Sequence, residues 1–251
     1  MARQRTPERS GLCIRYGLVI LSLVLFGQLL SDAAYAAEKI PLVSCADDRV
    51  QVSNASRVEA DLVCSAAART IAFFATCKLV VPPAIRVDVV DEPPKVCGVD
   101  AFGRFDAERN AIEVMNQAGC AKAAGKNKAY ASLPPLEFYK SIVTHEVAHR
   151  VFRFNLKGDT LSQAAHEYVA YSAQISLMHV DVRDLFLGPI RRIPPSDLGP
   201  FVNVTLLMAP EWFGAKAYDH FSTAENGCHL LRGIADGRVR FPSEDDPISG
   251  E

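Results

Sequence analysis

The chain lacks several features that would have set its class at once. No two of its seven cysteines are spaced CxxC, which disfavours a zinc site built from cysteine pairs. There is no basic stripe, and a formal net charge of −2 gives nucleic acid no footprint to bind. No internal repeat or extended low-complexity linker interrupts the chain, which argues for one domain rather than an array. The apolar run Gly17 to Leu30 falls short of the roughly twenty residues needed to span a bilayer comfortably.

That run nevertheless has a context. Arg3, Arg5, Arg9 and Arg15 precede or abut it, and Ala34-Tyr35-Ala36 follows with small residues at cleavage positions. The pattern is that of an export signal, residues 1–36, cut after Ala36. An uncleaved anchor is the alternative. The mature chain, residues 37–251, then forms a single domain that is exported (periplasmic or secreted) with no stable membrane insertion. Losing four Arg against Glu8 and Asp32 takes the formal charge from −2 to −4. Cys13 leaves with the signal, so Cys45, Cys64, Cys77, Cys97, Cys120 and Cys228 remain. An even six in an exported chain predicts three disulfides, with the pairing open. Asn54-Ala55-Ser56 and Asn203-Val204-Thr205 are glycosylation sequons.

Periodicity supplies the elements. Val58, Leu62, Ala66, Ile71 and Phe74 predict a helix from Ser56 to about Lys78. Ile85 to Val89 alternates apolar and charged residues like a half-buried strand. Phe102 to Phe105 and Ala111 to Met115 read as two short strands around the polar turn Asp106 to Asn110. Gly119 to Ser132 reads as a surface loop held at Cys120. The stretch Val180 to Pro200, broken by Gly188-Pro189, Pro194-Pro195 and Gly199-Pro200, reads as an irregular connection carrying Arg191-Arg192. Leu206-Leu207-Met208 is expected in the core. Trp212 to Phe221 and Gly227 to Ile234 read as short helices.

The chemistry concentrates in Thr144-His145-Glu146-Val147-Ala148-His149, an HExxH motif on a helix opened by Pro134-Pro135. His145 and His149, four apart, project from one face of a helix and suit two imidazole ligands of one zinc ion. Glu146 points about 100° away, where it can act on water. Phe138, Ile142, His145, His149 and Phe152 form one stripe, so the histidines belong to a buried face and need partners there. A stop at Lys157-Gly158 and a capping box at Thr160-Leu161-Ser162-Gln163 predict an αα-hairpin. At ~1.5 Å per residue His149 lies about 12 Å back from the turn and Glu167 about 9 Å, nearly level. Ala164, Glu167, Tyr171, Gln174 and Met178 share a face, which makes Glu167 the third ligand and His166 its competitor.

With these residues in place the chain resembles the gluzincin-type zinc metallopeptidases, in which HExxH is followed by a ligand glutamate on the next helix. The resemblance covers about His145 to Met178, and Glu167-Tyr168-Val169-Ala170 is similar to the Glu-x-x-Ala of compact members. It implies an α+β, zincin-like fold: a small antiparallel sheet packed on a helical core, with the HExxH helix and an antiparallel partner helix. It also implies Zn2+ held by His145, His149 and Glu167, with Glu146 as general base in hydrolysis of a peptide or protein substrate. The chain departs from some branches at Tyr171, where they carry an aspartate, so the acceptor for a ligand histidine must come from elsewhere; Gln174 is a candidate. Tyr218 and His220, on a downstream helix, are the expected oxyanion donors, with Tyr168 and Tyr171 weaker ones. Two other readings are an inactive binding module on the same scaffold and another zinc-dependent amide hydrolase, for example one acting on cell-wall peptides.

Overall fold

The computed structural model describes residues 38–96, 98–158, 161–190 and 195–242. The proposed signal, Cys13, Cys97, Thr160 and Arg191-Arg192 lie outside these residues. Within them the chain runs β1 (Ile40–Ser44), β2 (Val50–Ala55), α1 (Arg57–Thr76), β3 (Ile85–Val90), β4 (Lys95–Val96), β5 (Val99–Asp100), β6 (Gly103–Asp106), β7 (Ala111–Met115) and α2 (Gln117–Ala124). It continues α3 (Pro135–Asn155), α4 (Gln163–Ser176), α5 (Val180–Leu187), α6 (Asn203–Met208), α7 (Pro210–Thr223) and α8 (Gly227–Ala235). The α+β class holds.

The main sheet has the order β1-β2-β3-β7-β6, with β4 and β5 forming a separate ribbon. The antiparallel hairpin read around Asp106 to Asn110 is β6–β7, with Phe105 opposite Ile112 and Asn110 turning the chain at φ 51°. The sheet is larger than that hairpin and mixed. β2–β3 and β3–β7 are parallel, with Val87 beside both Val52 and Ile112. Parallel neighbours need a long crossover, and α1 supplies the one between β2 and β3. Ser56 caps α1 reciprocally with Glu59, a capping box that satisfies two otherwise orphaned donors.

Helix α3 is the centre of the molecule. It packs against α1, α4, β6 and β7, and it buries Phe138, Tyr139, Val143, Val147, Val151 and Phe152 from several sides. Each such side chain contributes about 1.5–3 kcal/mol on burial. A helix apolar around most of its circumference belongs in a core, so the HExxH motif is held rigidly.

Several local expectations are corrected. Gly119 to Ser132 is not wholly loop: Asn116 accepts from the Gly119 N–H and starts α2, which buries Cys120. Val180 to Leu187 is helical rather than irregular. Leu206 is buried, but α6 is too short to cover its neighbours, leaving Leu207 and Met208 67% and 80% exposed. The α3–α4 turn is wider than read, with α3 ending at Asn155 and Ser162 capping α4. Among the described residues two disulfides form, Cys45–Cys64 and Cys77–Cys228. Cys120 is a free buried thiol donating to the Met115 carbonyl, so it makes no third bridge. Both sequon asparagines are used internally: Asn54 donates to Asp88 and Asn203 accepts from the Ala164 N–H.

Cys77–Cys228 joins the end of α1 to the start of α8 across 151 residues of sequence, and Arg232 adds a bond to the Cys77 carbonyl. Long closed loops restrict the unfolded chain most in the chain-entropy account. The double variant Cys77→Ser/Cys228→Ser is therefore expected to lose about 2–5 kcal/mol of stability by urea unfolding. A loss below about 1 kcal/mol would show that packing alone holds the C-terminal helices.

Candidate metal centre

Two antiparallel helices build the site. On α3 the four-residue spacing brings the Nε2 atoms of His145 and His149 to 3.1 Å from each other. From α4, Glu167 Oε2 reaches His145 Nε2 at 3.1 Å and Oε1 reaches His149 Nε2 at 3.5 Å. The potential ligand atoms of these three residues lie within 4.8 Å of one another, and their side chains are only 12, 13 and 20% exposed. Small residues allow the approach: Ala148 on α3 and Ala170 and Ala173 on α4 are fully buried. Ser162 and Asn203 cap the first turn of α4, accepting from the Ala165 and Ala164 N–H groups.

The donor set suits a cation. His145 Nδ1 lies 2.9 Å from Gln174 Oε1; because that oxygen can only accept, Nδ1 carries the proton and Nε2 keeps its lone pair. The Gln174 amide in turn donates to Ser141 Oγ, which donates to the Phe138 carbonyl. This chain fixes ring and tautomer, the role that outer partners of metal-binding histidines perform. Two imidazole Nε2 atoms 3.1 Å apart need a proton or a cation between them. Without a cation, protons take that place. Burial by itself would depress His145, but the hydrogen bond and charge of Glu167 prevail and raise it to about 9. Glu167 is held well below the usual carboxylate range: burial opposes ionisation, and the two histidines outweigh it.

Glu146 sits apart from the three and is itself buried. Burial raises its pKa, partly offset by His145 and His149 and raised further by Glu167. Edge strand β6 closes over it. A Cβ on Gly103 would lie 2.7 Å from Glu146 Cγ and 2.8 Å from Oε1, so the strand can approach only where it carries glycine.

The other candidates separate clearly. His166 packs on Phe152, with its ring centroid 6.5 Å from that of His149; burial, then His149 and Arg153, lower it to about 4, and it stays outside the ligand cluster. His220 is engaged by the Tyr168 hydroxyl at 2.7 Å and packs on Phe201. Tyr218 lies under Arg183. Neither is among the groups that converge on the histidines. Tyr171 is: its ring stands edge-on to His145, 4.8 Å between centroids. Gly214 makes room for it, since a Cβ there would come within 2.6 Å of Tyr171 Cδ1.

Ser141, Gly103 and Gly214 were missed from sequence. Their signals were present: a serine four before His145, a glycine inside a strand and a glycine inside a helix.

In a zinc titration, Glu167→Gln and His149→Ala are expected to abolish stoichiometric binding. Gln174→Leu should retain the site but weaken it by about 10–100-fold. Unchanged affinity in Gln174→Leu would remove the orienting role assigned to that amide.

A family profile matches residues 50–244, a span that contains the whole site. No curated protein and no solved structure matches the chain. The chain belongs to DUF6639, a family of unknown function.

Proposed function

We propose that the protein is an exported zinc-dependent metallopeptidase, with His145, His149 and Glu167 as metal ligands and Glu146 as general base. The observation that carries this reading is the convergence of Glu167 from α4 on both histidines of α3, with a separate buried carboxylate beside them. Three protein ligands leave a position open, the arrangement of catalytic rather than structural sites. Two disulfides suit an oxidising compartment, and no helix among the described residues is long and apolar enough to cross a membrane.

When bound, zinc supplies Lewis acidity, acidifying a water and polarising a carbonyl. The protein's own groups do the rest. Glu146 takes a proton from the attacking water, whose oxygen bonds to the carbonyl carbon. It then delivers that proton to the amine nitrogen as the C–N bond breaks. Its environment favours this exchange, because burial lifts its pKa while the nearby histidines restrain the rise. Among the described residues β6 pairs with β7 alone; the Phe105 N–H on its outer side is turned to Glu146, and the rest of that edge is open to a substrate backbone as an added strand. Tyr171 replaces Tyr218 and His220 as donor to the developing oxyanion. Its hydroxyl makes no hydrogen bond among the described residues, and burial, then Tyr130, Glu167, Glu211 and Glu146, hold it protonated far above neutral pH.

Two measurements test the reading. The purified zinc-loaded protein is incubated with a mixed peptide library, beside Glu146→Gln. The variant is expected to keep its zinc and to cleave at least about a hundredfold more slowly. Zinc retained with no Glu146-dependent cleavage would instead favour a binding module. Tyr171→Phe should lower kcat by about 10²–10³ with zinc binding intact; an unchanged kcat would exclude it as donor.

A further inference from the structure

Beside the proposed site lies a pocket of about 360 Å³ with a composition of its own. Phe186, Ile190 and Trp212 provide apolar walls, Ala129 and Ala209 keep it open, and Glu211 is the one charged lining group among the described residues. Helix α7 connects it to the site, with Glu211 and Trp212 in the pocket and Gly214 against Tyr171. Tyr130 stacks parallel on Phe186 at 6.0 Å, and Tyr171 stands on His145 and packs on Phe213 of α7.

Glu211 is held by a neutral group rather than by a cation among the described residues. It stands in the first turn of α7, where the helix dipole favours an anion. One oxygen accepts from Asn127 Nδ2 at 3.1 Å, and Asn127 is itself oriented by accepting from the Ala129 N–H. No cation pairs with Glu211 among the described residues; Lys216 lies over the Trp212 ring, 5.4 Å from its centroid. A carboxylate with one oxygen held by a neutral amide, at the edge of aromatic walls, is complementary to a cation on a long aliphatic stem.

We propose that this pocket takes a lysine or arginine side chain of the substrate, its stem along Phe186 and Trp212 and its charge on Glu211. The inference deepens the peptidase reading and rests on it for the word substrate. The pocket can be tested without turnover, because Trp212 is the sole tryptophan of the chain and reports occupancy by its fluorescence. The probes are N-acetyl-arginine amide, N-acetyl-norleucine amide and N-acetyl-glutamate amide, titrated into the zinc-loaded protein. The arginine probe is expected to bind about tenfold more tightly than norleucine, the worth of one charged hydrogen bond. That preference should vanish in the isosteric Glu211→Gln and turn toward the glutamate probe in Glu211→Lys. Equal binding of the arginine and norleucine probes, or a preference that survives Glu211→Gln, would overturn the proposal. In the peptide library a basic residue should be enriched at one position flanking the cleaved bond. The ratio of kcat/KM for basic over norleucine substrates should fall about tenfold in Glu211→Gln. Absence of any hydrolysis would sink the peptidase reading alone, while the titration still decides the pocket.

Discussion

The Glu167 carboxylate lies within 3.5 Å of both imidazoles of α3, and the surrounding structure is arranged to permit that contact. An ionised carboxylate taken into a largely buried site costs several kcal/mol unless charge or hydrogen bonds compensate. Compensation requires α4 to run close to α3, and close approach requires Ala148, Ala170 and Ala173 at the seam. It also requires the imidazoles to present their lone pairs, which Gln174 and Ser141 secure from the other side of His145. Removing one partner of such a cluster leaves a buried charge uncompensated, typically a cost of 3–5 kcal/mol. The site and the core are thus one construction, and a substitution at the ligands acts on both.

The same packing makes two neighbours of the site intelligible. Gly103 brings an edge strand onto Glu146, and Gly214 lets α7 close on Tyr171. Each glycine gives up helix or strand stability, about 0.5–1 kcal/mol relative to alanine, for proximity. Tyr171 also packs on Phe213 of α7, whose first turn carries Glu211 and Trp212 into the pocket.

Much of the site was legible because it is local. The four-residue spacing of His145 and His149 and the prolines before them are features of one helix. Glu167 follows from its distance to the turn between the two helices, and that distance tolerates a shift of both helix ends. Helix α3 ends at Asn155, short of the Lys157-Gly158 stop, and α4 starts at Gln163, at the far end of the expected capping box, so the two positions stay level. What stayed hidden depends on distant pairing. The parallel ladders joining β2, β3 and β7 bring together segments separated by whole helices, which periodicity does not register. Tyr218 and His220 were chosen because related enzymes draw donors from downstream helices. In this fold α7 instead turns Gly214 toward the site and sends His220 to Tyr168. Cysteine parity predicts a bridge to Cys120, but its thiol lies on the buried face of α2 and donates to a carbonyl.

The central claim is that one metal ion is held jointly by α3 and α4. Anomalous diffraction at the zinc edge, on crystals of the zinc-loaded protein, addresses it directly. The account predicts a single strong peak at about 2.0–2.2 Å from His145 Nε2, His149 Nε2 and a Glu167 oxygen, with Gln174 outside bonding range. A peak ligated by His166 in place of Glu167, or zinc bound away from the two histidines, would contradict it.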